Sequence, residues 1–179
     1  MIRLNNDQKT LMIIVCRCDM TSVNVETNHG KISFNLLPEL APETVRSFVK
    51  LANDGFYDGT LFHRVIPGFM IQGGDPNTKD PNMKSKWGMG GPGFNVKAEF
   101  SSRSHLRGIV SMARAQDPDS AGSQFFIVTS DSTFLDREYT VFGEVTEGMD
   151  VADKIVNLQR DGNDCPLEDA KMLKISISE

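Results

Sequence analysis

Residues 62–75 read FHRVIPGFMIQGGD, in which two short apolar runs flank a Pro-Gly turn. Polar side chains stand inside both runs, and Arg64 shares a strand face with apolar neighbours. A guanidinium is costly to bury without partners, so we expect Arg64 either to be paired or to line a cleft. The strands alone leave two interpretations equally open, namely a structural hydrogen-bond node between Arg64 and Gln72, and a functional site.

A similar pair of runs lies further along the chain, where residues 111–115 read SMARA and residues 123–127 read SQFFI. In the second run Gln124 and Phe126 share one strand face, whereas Phe125 takes the other. Phe and Met side chains beside an arginine and glutamine amides favour an apolar pocket with few polar groups, which suits a neutral, backbone-like ligand. Taken singly, each of the apolar residues Phe69, Met70 and Phe126 is more simply explained as part of the core.

Strand and helix patterns extend on both sides of these runs. Alternating apolar residues predict a hairpin over residues 23–36 and further strands over 61–66, 69–72, 108–112, 124–129, 139–145 and 172–177. Pro42 and an apolar stripe from Val45 to Ala52 predict a first helix, and residues 149–158 a second. We therefore expect an antiparallel β protein with two helices, although periodicity does not decide whether the sheet closes.

Residues 74–95 are predicted to form a long loop, and loops of that length inside a domain are usually functional. Its GMGGPG run, residues 88–93, has dinucleotide-binding spacing but lacks the strand before it and the helix after it. Pro92 also removes a backbone donor that a phosphate needs, so we do not expect nucleotide binding. Neither a G-x-S-x-G elbow nor an H-E-x-x-H motif occurs, so the usual hydrolytic chemistries lack their residues.

Length and composition fit one ordinary globular domain. The chain has 179 residues, 39% of them hydrophobic and 24% charged, and its formal net charge is −5. Such a surface has no general attraction for nucleic acid or anionic membranes, so we expect neither as a partner. Residues 1–20 precede the first strand pattern and are predicted to be a poorly ordered extension, followed by a single domain over 21–179.

Cysteine usage indicates a reducing compartment. Cys16, Cys18 and Cys165 are an odd number of thiols, and the early apolar run over residues 11–16 is shorter than the apolar region of a secretory signal. Cys16 and Cys18 could supply one pair of zinc ligands. The three histidines are scattered and supply no second pair to complete such a site. We therefore expect a cytoplasmic protein that holds no metal ion.

The run over residues 62–75 closely resembles the signature of the cyclophilins, and residues 123–127, 134–136 and 141–145 continue the resemblance in the same order. The similarity extends from about Thr21 to Ile177, which is nearly the whole chain. Cyclophilins are peptidyl-prolyl cis–trans isomerases. The resemblance implies a closed, eight-stranded antiparallel β-barrel capped by two α-helices, with the site on the outer face of the barrel.

The implied activity is rotation about X–Pro peptide bonds in unfolded or flexible polypeptides, which assists protein folding. No bond is made or broken in this reaction, so no cofactor is expected. The resemblance makes Arg64 the catalytic residue and Gln72 the side chain that orients it. It also implies a proline pocket and a groove for the residues before proline, formed respectively by Phe69, Met70, Phe126 and Leu135 and by Ala113, Arg114 and Gln124.

Three positions depart from the pattern common in the family. Tyr139 stands where a histidine is common at the pocket rim, and it keeps an aromatic wall and one hydroxyl there. Phe134 stands where a tryptophan is common, and in the family that tryptophan donates to cyclosporin, so we expect cyclosporin-type cyclic peptides to bind with reduced affinity. Arg114 replaces the asparagine of animal members, which makes the chain more similar to bacterial cyclophilins. We expect a monomer that binds proline-containing polypeptides. The alternative is a proline-peptide binding or chaperone module with little turnover.

Overall fold

The computed structural model describes residues 21–178, so the predicted extension over residues 1–20 lies outside it. The described chain is mainly β, with two α-helices, α1 over Pro42–Asn53 and α2 over Met149–Val156. Its strands are β1 Ser22–Thr27, β2 Gly30–Leu36, β3 Arg64–Ile66, β4 Met70–Gly73, β5 Ile109–Met112, β6 Phe125–Val128, β7 Val141–Glu147 and β8 Met172–Ser178. They form one antiparallel sheet in the order β3-β4-β6-β5-β7-β2-β1-β8.

The prediction of a closed barrel is wrong, because β3 and β8 are the two edges of the sheet and no strand ladder joins them within residues 21–178. β3 has only three residues, and the amide of Val65 donates to the carbonyl of Asp164 at 2.8 Å. This bond of β3 is therefore made to a loop residue and not to β8. The two ends of the sheet meet instead at an isolated bridge between Leu61 and Lys171. The sheet is an open half-barrel.

The predicted hairpin of β1 and β2 is confirmed, in the register that pairs Val25 with Ile32. Both residues, together with Val23 and Phe34, are fully buried. Their alternation with polar residues has the period of a strand that buries one face. Gly30, directly after the turn, has a φ of 133°, a backbone conformation that residues with a side chain rarely adopt.

Helix α1 begins at Pro42, as the sequence predicts, and buries its apolar side against the sheet. The amides of its first turn need acceptors, and the carboxylate of the distant Glu99 accepts two of them at 2.9 and 3.1 Å. Phe48 of α1 and Ile155 of α2 belong to the same large core as the buried strand residues. Neither these helices nor any other in the described part of the chain is long and apolar enough to cross a bilayer.

The segment over residues 74–95 has more structure than the predicted loop. Two short 3₁₀ helices lie within it, Pro76–Lys79 and Pro81–Lys86. Each follows an aspartate, Asp75 or Asp80, whose carboxylate accepts the backbone amide two residues further on. Such local side-chain bonds leave no apolar period in the sequence, which is why the pattern predicts an irregular loop here.

Candidate active site

Strands β4 and β6 place alternate side chains on the two faces of the sheet. Gln72 of β4 pairs with Phe126 of β6, and Ile71 pairs with Ile127. The two isoleucines belong to the large core, whereas Met70 and Phe126 belong to a second, smaller apolar cluster. The strand period therefore brings Met70, Gln72 and Phe126 together on the outer surface of the sheet.

A cavity of about 350 Å³, here called the apolar pocket, opens on this surface. Ten predicted site residues line it, namely Arg64, Phe69, Met70, Gln72, Ala113, Arg114, Phe126, Phe134, Leu135 and Tyr139. The remaining one, Gln124, lines an adjoining groove of about 780 Å³, to which Gln72, Ala113 and Arg114 also contribute. The fold thus brings all the predicted site residues around one connected surface.

The apolar pocket has a buried bottom and an exposed rim. Met70, Phe126 and Leu135 are buried, and Phe69 packs against them. Phe134 is 71% exposed, and the centroid of its ring lies 5.3 Å from that of Phe69. A small apolar ring can therefore enter between the rim aromatics and lose its contact with water at the bottom.

Arg64 lines this pocket, and no carboxylate of residues 21–178 lies within 4.0 Å of its guanidinium nitrogens. The residue is exposed, and its Nη1 donates to Oε1 of Gln72 at 3.4 Å, which is a long hydrogen bond. Gln72 in turn donates from Nε2 to Oε1 of Gln124 at 3.0 Å. The guanidinium is held only loosely and retains donors for a ligand in the pocket.

Gln124 connects the site to the loop that forms the far wall of the groove. Its Nε2 donates to the carbonyls of Gly88 and Gly90, at 2.9 Å in each case. The buried carboxylate of Asp75 accepts the amides of the same two glycines. A side chain at Gly90 would collide with Asp75 and Asn77. Hydrogen bonds to both Gln124 and Asp75 therefore hold the groove wall in place, and the donors of Gln124 are occupied.

Two of the three positions that depart from the family pattern contact each other. The guanidinium of Arg114 lies 4.7 Å from the centre of the Tyr139 ring, in a cation–π contact. Its Nε also donates to the carbonyl of Glu138 at 3.0 Å. These contacts hold Arg114 between the apolar pocket and the groove, because it lines both.

A third cavity, of about 580 Å³, shares Arg64 and Gln72 with the apolar pocket. His63 and Cys165 also line it. Burial lowers the pKa of His63 and raises the pKa of the Cys165 thiol, so both side chains are neutral near pH 7. Within residues 21–178 no group of three His, Cys, Asp or Glu side chains is arranged to hold a metal ion.

His105 is a site residue that the sequence does not predict, and its ring is stacked on Phe126 with the centroids 6.2 Å apart. The ring nitrogens of His105 contact Asp136 and Ser111, which lie 31 and 6 positions away in the sequence. No local motif joins these three residues. A single histidine before a strand carries no signal of its own, so the cluster becomes visible only in the folded chain.

The family model described as "Cyclophilin type peptidyl-prolyl cis-trans isomerase/CLD" matches residues 22–177. The chain is 49% identical over 130 residues to peptidyl-prolyl cis-trans isomerase B of Bacillus subtilis, covering 72% of this chain and 85% of that protein. It is 46% identical over 144 residues to peptidyl-prolyl cis-trans isomerase A of Dickeya dadantii, covering 78% of this chain and 73% of that protein.

A solved structure with a similar fold is the cyclophilin type peptidyl-prolyl cis-trans isomerase of Cryptosporidium parvum, determined in the presence of the dipeptide Ala-Pro. It is 33% identical to this chain, with a TM-score of 0.79, and the match covers 88% of this chain and 99% of that one. The family model spans nearly all of the described residues. The chain therefore belongs to the family of cyclophilin-type peptidyl-prolyl cis–trans isomerases, as the resemblance of residues 62–75 predicts.

Proposed function

We propose that Arg64 is the catalytic residue of this isomerase and that it acts without covalent chemistry on X–Pro bonds in unfolded or flexible polypeptides. The observation that carries the proposal is the position of its guanidinium. This group is exposed, is unpaired by any described carboxylate, and lines the apolar pocket beside the Gln72 amide. A cation in that position can stabilise negative charge that develops on a ligand bound in the pocket.

The reaction requires stabilisation of a twisted amide rather than a nucleophile. Rotation about a peptide bond has a barrier of about 18–20 kcal/mol, because the C–N bond has partial double-bond character. In the twisted transition state the proline nitrogen loses resonance and gains a lone pair, so a guanidinium N–H directed at it favours that state over the planar ones. An acceleration of about 10³-fold requires about 4 kcal/mol, which a few preorganised hydrogen bonds can supply.

The remaining site residues bind the polypeptide. We assign the proline ring to the apolar pocket, with walls from Phe69, Met70, Phe126 and Leu135 and a rim from Phe134 and Tyr139. We assign the residues before proline to the groove lined by Ala113, Arg114 and Gln124. The Ala-Pro dipeptide used with the Cryptosporidium parvum relative supports a proline-containing peptide as the ligand.

Other properties of the protein stay predictions. Phe134 has no indole N–H to donate, so we expect cyclosporin-type cyclic peptides to bind less tightly than to members that carry tryptophan there. Assistance to protein folding, a monomeric state and a cytoplasmic location follow from the resemblance and the cysteine content. We also expect no cofactor and no nucleic-acid or membrane partner.

The test is isomerase activity of the wild type and of Arg64→Ala. NMR exchange spectroscopy on an X–Pro peptide measures the turnover rate, and chemical-shift titration of the protein measures peptide affinity. Arg46→Ala is the matched control, because Arg46 is an exposed arginine on α1 that pairs with Glu43. We expect Arg64→Ala to lose exchange while it retains peptide binding, and Arg46→Ala to behave as the wild type.

The outcomes separate the two candidate functions. A wild type that binds the peptide without accelerating exchange would support the binding-module alternative and contradict catalysis. If the Arg64→Ala variant were as active as the wild type, the protein would still be an isomerase, but Arg64 would have no part in its mechanism.

A further inference from the structure

His105 is fully buried beneath the apolar pocket, and its backbone holds both ends of one turn. Its amide donates to Oδ1 of Asp136 at 2.7 Å, and its carbonyl accepts the amide of Ser132 at 2.8 Å. Between these two bonds lies the 3₁₀ turn Thr133–Leu135, which carries two pocket residues. The position of the Leu135 side of the pocket therefore depends on His105.

The His105 ring contacts the other side of the same pocket. It is stacked on Phe126 with an interplanar angle of 18°. It also meets the Tyr139 ring in an edge contact, with the centroids 6.5 Å apart. Phe126 and Tyr139 both line the apolar pocket. One buried residue therefore contacts the strand β6 side of the pocket through its ring and the turn side through its backbone.

Hydrogen bonds at both ring nitrogens hold the His105 ring in this position. Nδ1 lies 3.1 Å from Oδ1 of Asp136, and Nε2 lies 2.9 Å from the hydroxyl of Ser111. Because a carboxylate only accepts, the network assigns the proton to Nδ1, and Nε2 accepts from Ser111. Burial lowers the pKa of His105, while the bond to Asp136 opposes that shift. The neutral ring is thus satisfied at both nitrogens.

Hydrogen bonds link Ser111, His105 and Asp136 in the order of a catalytic triad, but these residues cannot act as one. Ser111 and His105 are both fully buried, with no exposed surface. A nucleophile must reach its substrate, and no substrate atom can approach a hydroxyl that lies beneath the pocket wall. The cluster is therefore better suited to fixing the position of its neighbours than to covalent chemistry.

We propose that His105 is a positioning residue of the isomerase, which holds Phe126 and Leu135 at the separation that fits a proline ring. The inference rests on the proposed function, because it assigns the proline ring to the apolar pocket. His105 itself touches no substrate. It acts through the stacked Phe126 ring and through the bonds to Asp136 and Ser132.

The test compares His105→Gln with His105→Asn. Glutamine offers an amide near the place of Nε2, whereas asparagine offers one near the place of Nδ1 and so keeps a donor for Asp136. We expect His105→Gln to lower kcat/KM for an X–Pro peptide about tenfold, mainly through KM, because small displacements of binding groups weaken alignment. His105→Asn should recover part of that loss. His29→Gln, in the β1–β2 turn, is the histidine control and should match the wild type.

Thermal melting of each variant gives the fraction folded at the assay temperature, and peptide Kd is measured by NMR titration. A purely structural role would lower activity only in proportion to the unfolded fraction, and unchanged KM and Kd per folded molecule would overturn the proposal. If the wild type binds the peptide but does not turn it over, the proposed function fails. In that case a weaker Kd in His105→Gln would still support positioning, and an equal Kd would contradict it.

Discussion

Phe125 and Phe126 are neighbours on β6, yet they lie in two different environments. Phe125 is on the interior face of the sheet, where it is fully buried and packs edge-on against Phe48 and Phe142, with centroids 5.6 and 6.4 Å away. Phe126 is on the site face, where it lines the apolar pocket beside Gln72. Strand β4 repeats the division, with Ile71 in the large core and its neighbour Gln72 in the pocket.

The two faces of the sheet have opposite structural requirements. Aromatic rings on the interior face pack against one another, and close packing is what stabilises the folded chain. The site face leaves a cavity open and keeps a guanidinium and amide groups beside it, which contributes little to stability but allows binding. Because successive strand residues point to opposite sides, the same short strands can meet both demands.

The largest expected effect is a loss of stability from the interior face. Phe125→Ala removes a fully buried ring, so we expect the free energy of unfolding to fall by about 3–5 kcal/mol, as measured by urea denaturation. Activity per folded molecule should stay within about threefold of the wild type, because the changed side chain points away from the pocket. A fall in activity without a fall in stability would break the separation of the two faces.

A smaller effect is expected from a conservative change on the site face. Arg64→Lys keeps the positive charge but replaces a planar set of donors with a single ammonium, so kcat/KM should fall about 10–100-fold. The free energy of unfolding should change by less than about 0.5 kcal/mol, because the residue is exposed. Arg46→Lys is the control. If Arg64→Lys instead lost stability and retained activity, Arg64 would be the structural hydrogen-bond node with Gln72 and not a catalytic residue.

The smallest effect is the pH dependence of stability, to which a buried histidine on each side of the site contributes. Burial lowers the pKa of His63 and of His105 in the folded state, and unfolded histidine titrates near about 6.5. Below about pH 6.5 the unfolded chain therefore binds more protons, and the free energy of unfolding should fall until the lowered folded pKa values are passed. Urea denaturation between about pH 7.5 and 5 measures the slope.

His105→Gln isolates the contribution of this histidine, since it removes one of the two buried histidines and should make the slope shallower. An equal slope in the variant and the wild type would show that His105 does not titrate differently in the folded state. Asp136 acts at lower pH, because the His105 amide, Ser104 and the His105 ring lower the pKa of its carboxyl. Its contribution is present above about pH 3.9 and is lost as the pH falls through its lowered folded pKa.

Part of the sheet was predictable because strands such as β1 bury one face, so that buried and more exposed residues alternate in its sequence. Val25 and Ile32 illustrate this in the hairpin, and α1 begins at the proline that marks its first turn. The gathering of the site residues was predictable through the family resemblance, and ten of them line one cavity. The roles of those residues stay predictions until the variants are measured.

Three features were beyond local pattern. At the open edge of the sheet the carbonyl of Asp164 accepts the amide of Val65, although the two residues are far apart in the chain. The groove wall depends on the bonds that Gln124 and Asp75 make to two loop glycines. The His105 cluster depends on Asp136, 31 positions away. Each feature arises from hydrogen bonds between distant residues, and such bonds leave no period in the sequence.

Residue order alone is thus enough to specify which side chains of a strand share a face, because the pleat alternates with a period of two. The sequence alone also contains the stretch over residues 62–75 that identifies the family. Only the folded chain shows that the sheet stays open, how the groove wall is anchored and what supports Phe126. Those features depend on which distant donors and acceptors meet, and this is settled only when the elements pack together.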